Sequence, residues 1–130
     1  MPRILVLDDE KLIRWSLGQI LSQEGYAVDV VATAEEALRL AGSNRYDLVL
    51  ADLEVCGDQA ETFFRDLLAG QPEAQLVILT AMPRDKAGER LGGCRPFRIL
   101  EKPFASEDIR AITIEALRSP RIIPEPSKEV

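Results

Sequence analysis

The sequence predicts an α/β fold, a doubly wound parallel five-stranded sheet of (βα)5 type, from three observations. Short apolar runs recur along the chain, they are continuous rather than alternating, and helix-like stretches separate them. A strand buried on both faces reads as an unbroken apolar run, whereas a half-exposed strand alternates apolar with polar residues. Strand and helix following one another in turn is the pattern of a parallel sheet with helices on both faces.

The first strand is "RILVL" (3–7). In the helix that follows, over 10–24, Ile13, Leu17, Ile20 and Leu21 fall at i, i+4, i+7 and i+8, one helical face, and Gly25 is the stop signal. "AVDVV" (27–31) is a weaker second strand. Over 33–41, Thr33 caps a second helix, Glu36 completes a capping box, and Ala37, Leu38 and Ala41 supply the apolar side. "DLVLA" (47–51) is the third strand, and the helix over 58–69 carries Phe63, Phe64, Leu67 and Leu68 before ending at Gly70 and Pro72.

"QLVILT" (75–80) is the fourth strand. The next segment, "MPRDKAGERLGGCRP" (82–96), holds three glycines and two prolines. Each interior glycine costs a helix roughly 1 kcal/mol relative to alanine, so a short or mobile fourth helix is predicted. "RILE" (98–101) is the fifth strand, and the last helix, 106–118, opens with Ser106 as its cap. Glu107 and Asp108 in its first turn suit the helix dipole, and Ile109, Ile112, Ala116 and Leu117 form its buried side. The predicted domain spans 1–119; beyond it "PRIIPEPSKEV" places three prolines in seven residues, which predicts a flexible C-terminal tail or linker over 120–130.

Composition narrows the function. A length of 130 residues suits one domain, and 46% hydrophobic with 29% charged residues is an ordinary globular composition. No apolar run approaches the roughly 18 residues of a membrane span, and no secretory signal is evident at the N-terminus, so a cytoplasmic protein is expected. The net charge of -6 argues against direct nucleic-acid binding by this chain. There is no histidine, which excludes serine-type triads and histidine metal sites, and the two cysteines, Cys56 and Cys94, lack metal-ligand spacing. Chemistry must therefore use carboxylates, hydroxyls and lysine.

Ligands of an open parallel sheet bind at the carboxyl ends of its strands. Asp8 and Asp9 follow strand one, Asp52 ends strand three, Thr80 ends strand four, and Lys102, followed by Pro103, comes at the end of strand five. Three clustered carboxylates raise one another's pKa unless a cation joins them, and Mg²⁺ fits, because it takes one or two carboxylates plus phosphate oxygens and waters. A metal beside a carboxylate, a lysine and a threonine suggests phosphoryl transfer with Asp52 as nucleophile, Lys102 neutralising one phosphoryl oxygen and Thr80 donating to another.

The set "VLDDE", "DLVLADLE", "VILTA" and "LEKPF", in this order over residues 2–118, closely resembles the receiver domains of two-component response regulators. The resemblance implies a flavodoxin-like strand order 2-1-3-4-5. It implies that Asp52 accepts a phosphoryl group from a sensor histidine kinase or phosphotransfer protein, and that Mg²⁺ is held by Asp8 or Asp9, by Asp52 and by the backbone carbonyl of Glu54. It implies too that Thr80 and Lys102 sense the phosphoryl group, that an output domain or partner protein reads the result, and that the surface of helix four, strand five and helix five can form a weak homodimer. More locally, "LIRWSL" (12–17) resembles the first helix of receivers from nitrogen-regulation activators. The chain departs from the family at Ile99, where an aromatic switch residue is usual, and in the loop "VCGDQA" (55–60), where Cys56 replaces a proline.

Other residues have plainer readings. Glu10 is expected to serve the dipole of the first helix, Trp15 to pack, Phe63, Phe64, Phe97 and Phe104 to lie in the core or at its edge, and Cys56 to be an inert thiol. Two other functions compete with the signalling reading. One is a phosphorylation-independent interaction domain; the other is a phosphohydrolase working through an aspartyl phosphate, against which the lack of a substrate-covering insertion weighs.

Overall fold

The computed structural model describes residues 1–119, so the tail expected over 120–130 lies outside the described residues. Five strands, β1 (Arg3–Leu7), β2 (Ala27–Val31), β3 (Leu48–Asp52), β4 (Gln75–Thr80) and β5 (Arg98–Glu101), form one sheet in the order β2-β1-β3-β4-β5. Every pairing is parallel. The helices are α1 (Lys11–Gln23), α2 (Ala34–Ala41), α3 (Ala60–Ala69), α4 (Arg84–Leu91) and α5 (Ser106–Arg118).

The continuous apolar runs have the predicted cause. Along β1, β3 and β4 alternate residues enter two separate cores. Leu5, Leu7, Val49, Ala51, Leu76 and Ile78 pack with Phe63, Phe64, Leu67, Ala87 and other residues of α2, α3 and α4 on one face. Ile4, Val6, Leu48, Leu50, Val77 and Leu79 pack with Leu17 and Leu21 of α1 and Ile109 and Ala116 of α5 on the other. Each fully buried Leu or Ile contributes about 1.5–3 kcal/mol relative to an exposed one, so the central strands anchor the domain. β2 is an edge strand with Val30 exposed, which explains its weaker signal. Among the described residues no helix is long and apolar enough to cross a membrane.

Local expectations hold in several places. Thr33 Oγ1 accepts the Glu36 N–H at 3.1 Å, capping α2, and Gly25 closes α1 with φ of 91°. The fourth helix, within the glycine-rich segment 82–96, is short, eight residues. Cys56 fills the proline position of its loop as a buried packing residue, and burial, then the Asp52 charge, pushes its thiol up to about 12.

Four readings need correction. Leu38 does not belong to the buried side of α2: it is exposed, and Leu40 packs against the core beside Ala37 and Ala41. Ser106 does not cap α5: it is already helical, Ala105 stands at the cap, and the Asp108 carboxylate accepts the Ala105 N–H at 2.8 Å. Trp15 does not pack, because it lies about 200° around α1 from both Ile13 and Leu17, and it is 64% exposed. Glu10 does more than serve a dipole, since its carboxylate turns to Lys102.

On the side of the sheet away from the acids, Tyr46 donates a 2.7 Å hydrogen bond to Asp29, which Arg3 also holds at 3.0 Å. Burial, then the Asp29 carboxylate, pushes the Tyr46 phenol up to about 12.

Candidate functional site

The strand order places the carboxyl ends of β1 and β3 side by side, with β4 and β5 following. Asp8 leaves β1 fully buried, Asp52 ends β3 almost fully buried, and Thr80 ends β4 with no exposed surface. Lys102 follows β5, its main-chain N–H donating to Thr80 O at 2.7 Å, and a cis peptide bond joins it to Pro103. The sheet thus brings Asp8, Asp52, Thr80 and Lys102 to one edge, and Asp9 stands exposed at its rim.

Lys102 is the hub. Its Nζ lies 3.0 Å from Asp8 Oδ2, 3.3 Å from Glu10 Oε1 and 3.4 Å from Asp52 Oδ1. Burial alone would lower its pKa, but contacts with Asp8, Asp52 and Glu10 outweigh it and hold the ammonium above its usual range. Asp8 is further fixed by the Glu10 N–H, which donates to its Oδ1 at 2.8 Å, while Arg14 Nη1 donates to its main-chain oxygen at 2.8 Å.

Asp52 is the least satisfied acid of the group. Its Oδ1 is buried and accepts no hydrogen bond. Burial first, then a hydrogen bond with Glu54, pushes its carboxyl up to about 7 against the lowering effect of Lys102. A buried carboxylate oxygen that accepts no hydrogen bond and lies beside further oxygen donors is the environment a hard divalent cation satisfies. One carboxylate oxygen from each of Asp8, Asp9 and Glu10 lies within 4.8 Å of the other two. Asp52 is outside that trio and is joined to Asp8 through the shared ammonium.

Thr80 does not face an open space. Its hydroxyl donates to Glu54 Oε2 at 2.5 Å, and the Ala81 N–H donates to Glu54 Oε1 at 3.2 Å. Burial would raise the Glu54 pKa, but the bonds from Thr80, Asp52 and Ala81 outweigh it and hold the carboxyl below its usual range. The side chains of Glu54 and Glu10 are the site groups that sequence reasoning missed. Both are acids within two residues of a candidate ligand, a signal that exists in the sequence but does not say where the side chain turns. Ile99, at the usual aromatic position, is half-buried against the core shared with α4.

A sequence model of the response regulator receiver domain matches residues 4–114. The chain belongs to the response regulator receiver domain family. This receiver is 36% identical over 111 residues to the transcriptional regulatory protein PmrA of Pectobacterium parmentieri, covering 84% of the chain and 49% of PmrA. It is 38% identical over 122 residues to the response regulator MprA of Mycobacterium sp. (strain KMS), covering 85% of the chain and 49% of MprA. The receiver therefore spans about half the length of these curated relatives.

Among solved structures it resembles the receiver domain of the sensor histidine kinase PA1611 from Pseudomonas aeruginosa PAO1, solved with magnesium in its active-site cleft. That match has a TM-score of 0.79 and 25% identity over 91% of this chain and 98% of that one. The chemotaxis response regulator CheY4 of Vibrio cholerae shares the fold, with a TM-score of 0.77 and 23% identity over 89% of this chain and 98% of that one. The chain is thus the receiver domain of a two-component response regulator, a signalling domain.

Proposed function

We propose that this receiver, over residues 1–119, takes a phosphoryl group on Asp52 from a sensor histidine kinase or phosphotransfer protein in a Mg²⁺-dependent reaction, and that the new charge switches a partner-binding surface. The observation that carries the reading is Asp52 itself. It is a nearly fully buried carboxylate at a strand end, whose Oδ1 accepts no hydrogen bond and is faced by a lysine ammonium at 3.4 Å.

In the transfer an Asp52 oxygen bonds to phosphorus while the P–N bond of the donor phosphohistidine breaks, the imidazole keeping the electron pair of that bond. This sequence has no histidine, so the donor histidine lies outside it. Such transfer needs little beyond positioning and charge neutralisation, which makes the receiver a phosphoacceptor that catalyses its own modification. Lys102 would neutralise one phosphoryl oxygen, and Thr80 would donate its hydroxyl to another. Asp8, Asp9, Asp52 and the backbone carbonyl of Glu54 would hold Mg²⁺, a set of hard oxygen donors that suits this ion. When bound, the ion supplies positive charge to the phosphoryl oxygens.

Several further parts of the proposal concern the whole regulator. An output domain or partner protein would read the switch, with a cytoplasmic location and weak self-association through α4, β5 and α5. A nitrogen-regulation type of output has the α1 stretch "LIRWSL" as its support.

The deciding experiment is incubation with a small acyl phosphate and Mg²⁺, followed by intact mass. A labile phosphoryl adduct is expected, absent from Asp52→Asn and from a metal-free sample. No adduct here, and none from phosphorylated histidine kinases, would overturn the reading.

A further inference from the structure

The side chain of Glu54 has no part in the proposal above, which uses only its main-chain carbonyl. Yet that side chain occupies a built position. The Thr80 hydroxyl donates to Oε2 at 2.5 Å and the Ala81 N–H donates to Oε1 at 3.2 Å, so one carboxylate takes up both donors at the end of β4. Thr80 is itself held in place, accepting the Met82 N–H on Oγ1 at 3.0 Å and having no exposed surface. Asp52 is the register partner of Leu79, the residue before Thr80, and it shares a hydrogen bond with the Glu54 carboxylate that holds these donors, so a group added to Asp52 would meet the same seat.

Carboxylate and phosphoryl group offer such a pair of donors the same thing, anionic oxygens in a fork. Only one of the two anions can take the bonds, and two anions side by side repel. Glu54 is otherwise an exposed residue, outside both cores, so its carboxylate can leave by side-chain rotation without unpacking the domain.

We propose that the Glu54 carboxylate is a built-in competitor for the phosphoryl-oxygen seat formed by Thr80 and Ala81, which must vacate it before a phosphoryl group on Asp52 can be held. Glu54 is then a specificity-determining residue that lowers the receiver's affinity for phosphoryl groups and sets how strong a signal engages the switch. This rests on the acceptor reading of Asp52. Hydrogen bonds to a charged group are strong enough that their release should change affinity on the order of tenfold or more.

The test is calorimetric titration of the whole chain with beryllofluoride, a phosphoryl mimic, at saturating Mg²⁺, in wild type, Glu54→Ala and Glu54→Gln. The amide shift of Ala81 is followed by NMR in the same samples, and circular dichroism checks folding. The alanine variant is expected to bind about tenfold tighter or more, and the glutamine variant to fall between, because its single amide oxygen can accept only one of the two bonds, without the charge, and its NH2 group can accept neither. In wild type the Ala81 amide signal should start near its position in the bound state, whereas in Glu54→Ala it should start elsewhere and move there on binding. Equal affinities in all three proteins would overturn the competitor role while leaving the acceptor reading intact. Binding by none of them would overturn both.

Discussion

The Lys102 ammonium lies 3.0 Å from the carboxylate of Asp8, a residue with no exposed surface, and it reaches Asp52 at 3.4 Å. One cation therefore compensates two buried acids. Removing one partner of a buried ion pair costs about 3–5 kcal/mol, because the remaining charge is left uncompensated. Lys102→Met should lower stability by about 3 kcal/mol at pH 8, read from urea unfolding. Asp52→Asn, which relieves the excess of acid, should leave stability unchanged or raise it, and should recover part of the loss in the double variant. A Lys102→Met protein as stable as wild type would show that the ammonium does not hold the site together.

Phosphorylation should loosen or reorder the segment behind Thr80 more than any other. Residues 81–97 contain α4, whose exposed face and single glycine, Gly88, leave it little burial beyond Ala87 and Leu91. Local stability follows buried contact, so this segment is the one most readily shifted. Hydrogen exchange with and without a phosphoryl mimic should change chiefly in 81–97. Unchanged protection there would count against it as the switch.

Two glycines of that segment should respond oppositely to alanine. Gly88 lies inside α4 with open space around a would-be Cβ, so Gly88→Ala should stabilise by up to about 1 kcal/mol. Gly92 has φ of +57°, and a Cβ there would come within 2.2 Å of Glu61 Oε1, the side chain that accepts the Gly93 N–H at 2.9 Å. Gly92→Ala should destabilise by about 1 kcal/mol or more. Thermal unfolding of the two variants side by side decides it, and a shift in the same direction for both would contradict the described backbone.

The Tyr46 phenol gives the fold an alkaline limit. Its pKa in the folded chain is pushed up to about 12 from an ordinary 10, so the fold favours the protonated form. The stabilisation is fully present below pH 10 and is lost as pH rises from 10 through about 12. Tyr46→Phe should cost about 1 kcal/mol at neutral pH through the lost bond to Asp29. It should also show a smaller decline than wild type between pH 8 and 11 in urea unfolding. Parallel declines would rule out Tyr46 as the titrating group.

The alternation of apolar strands and helices, the register of Asp8, Asp52, Thr80 and Lys102 at strand ends, and the weakness of α4 were legible in the sequence. Each depends on local spacing: an unbroken apolar run already states that both faces are covered, and a glycine weakens a helix whatever surrounds it. The direction of a long polar side chain is a different matter, because it is chosen by partners distant in sequence. Glu10 turns to a lysine 92 residues away. Glu54 turns to a threonine 26 residues away. Trp15 faces solvent because the neighbouring apolar residues of α1 take the side that the sheet covers. The sequence by itself determined which residues stand at the edge of the sheet; the tertiary structure decided which of them share a proton, a cation or a hydrogen bond, because those energies depend on distances that only the packed strands set.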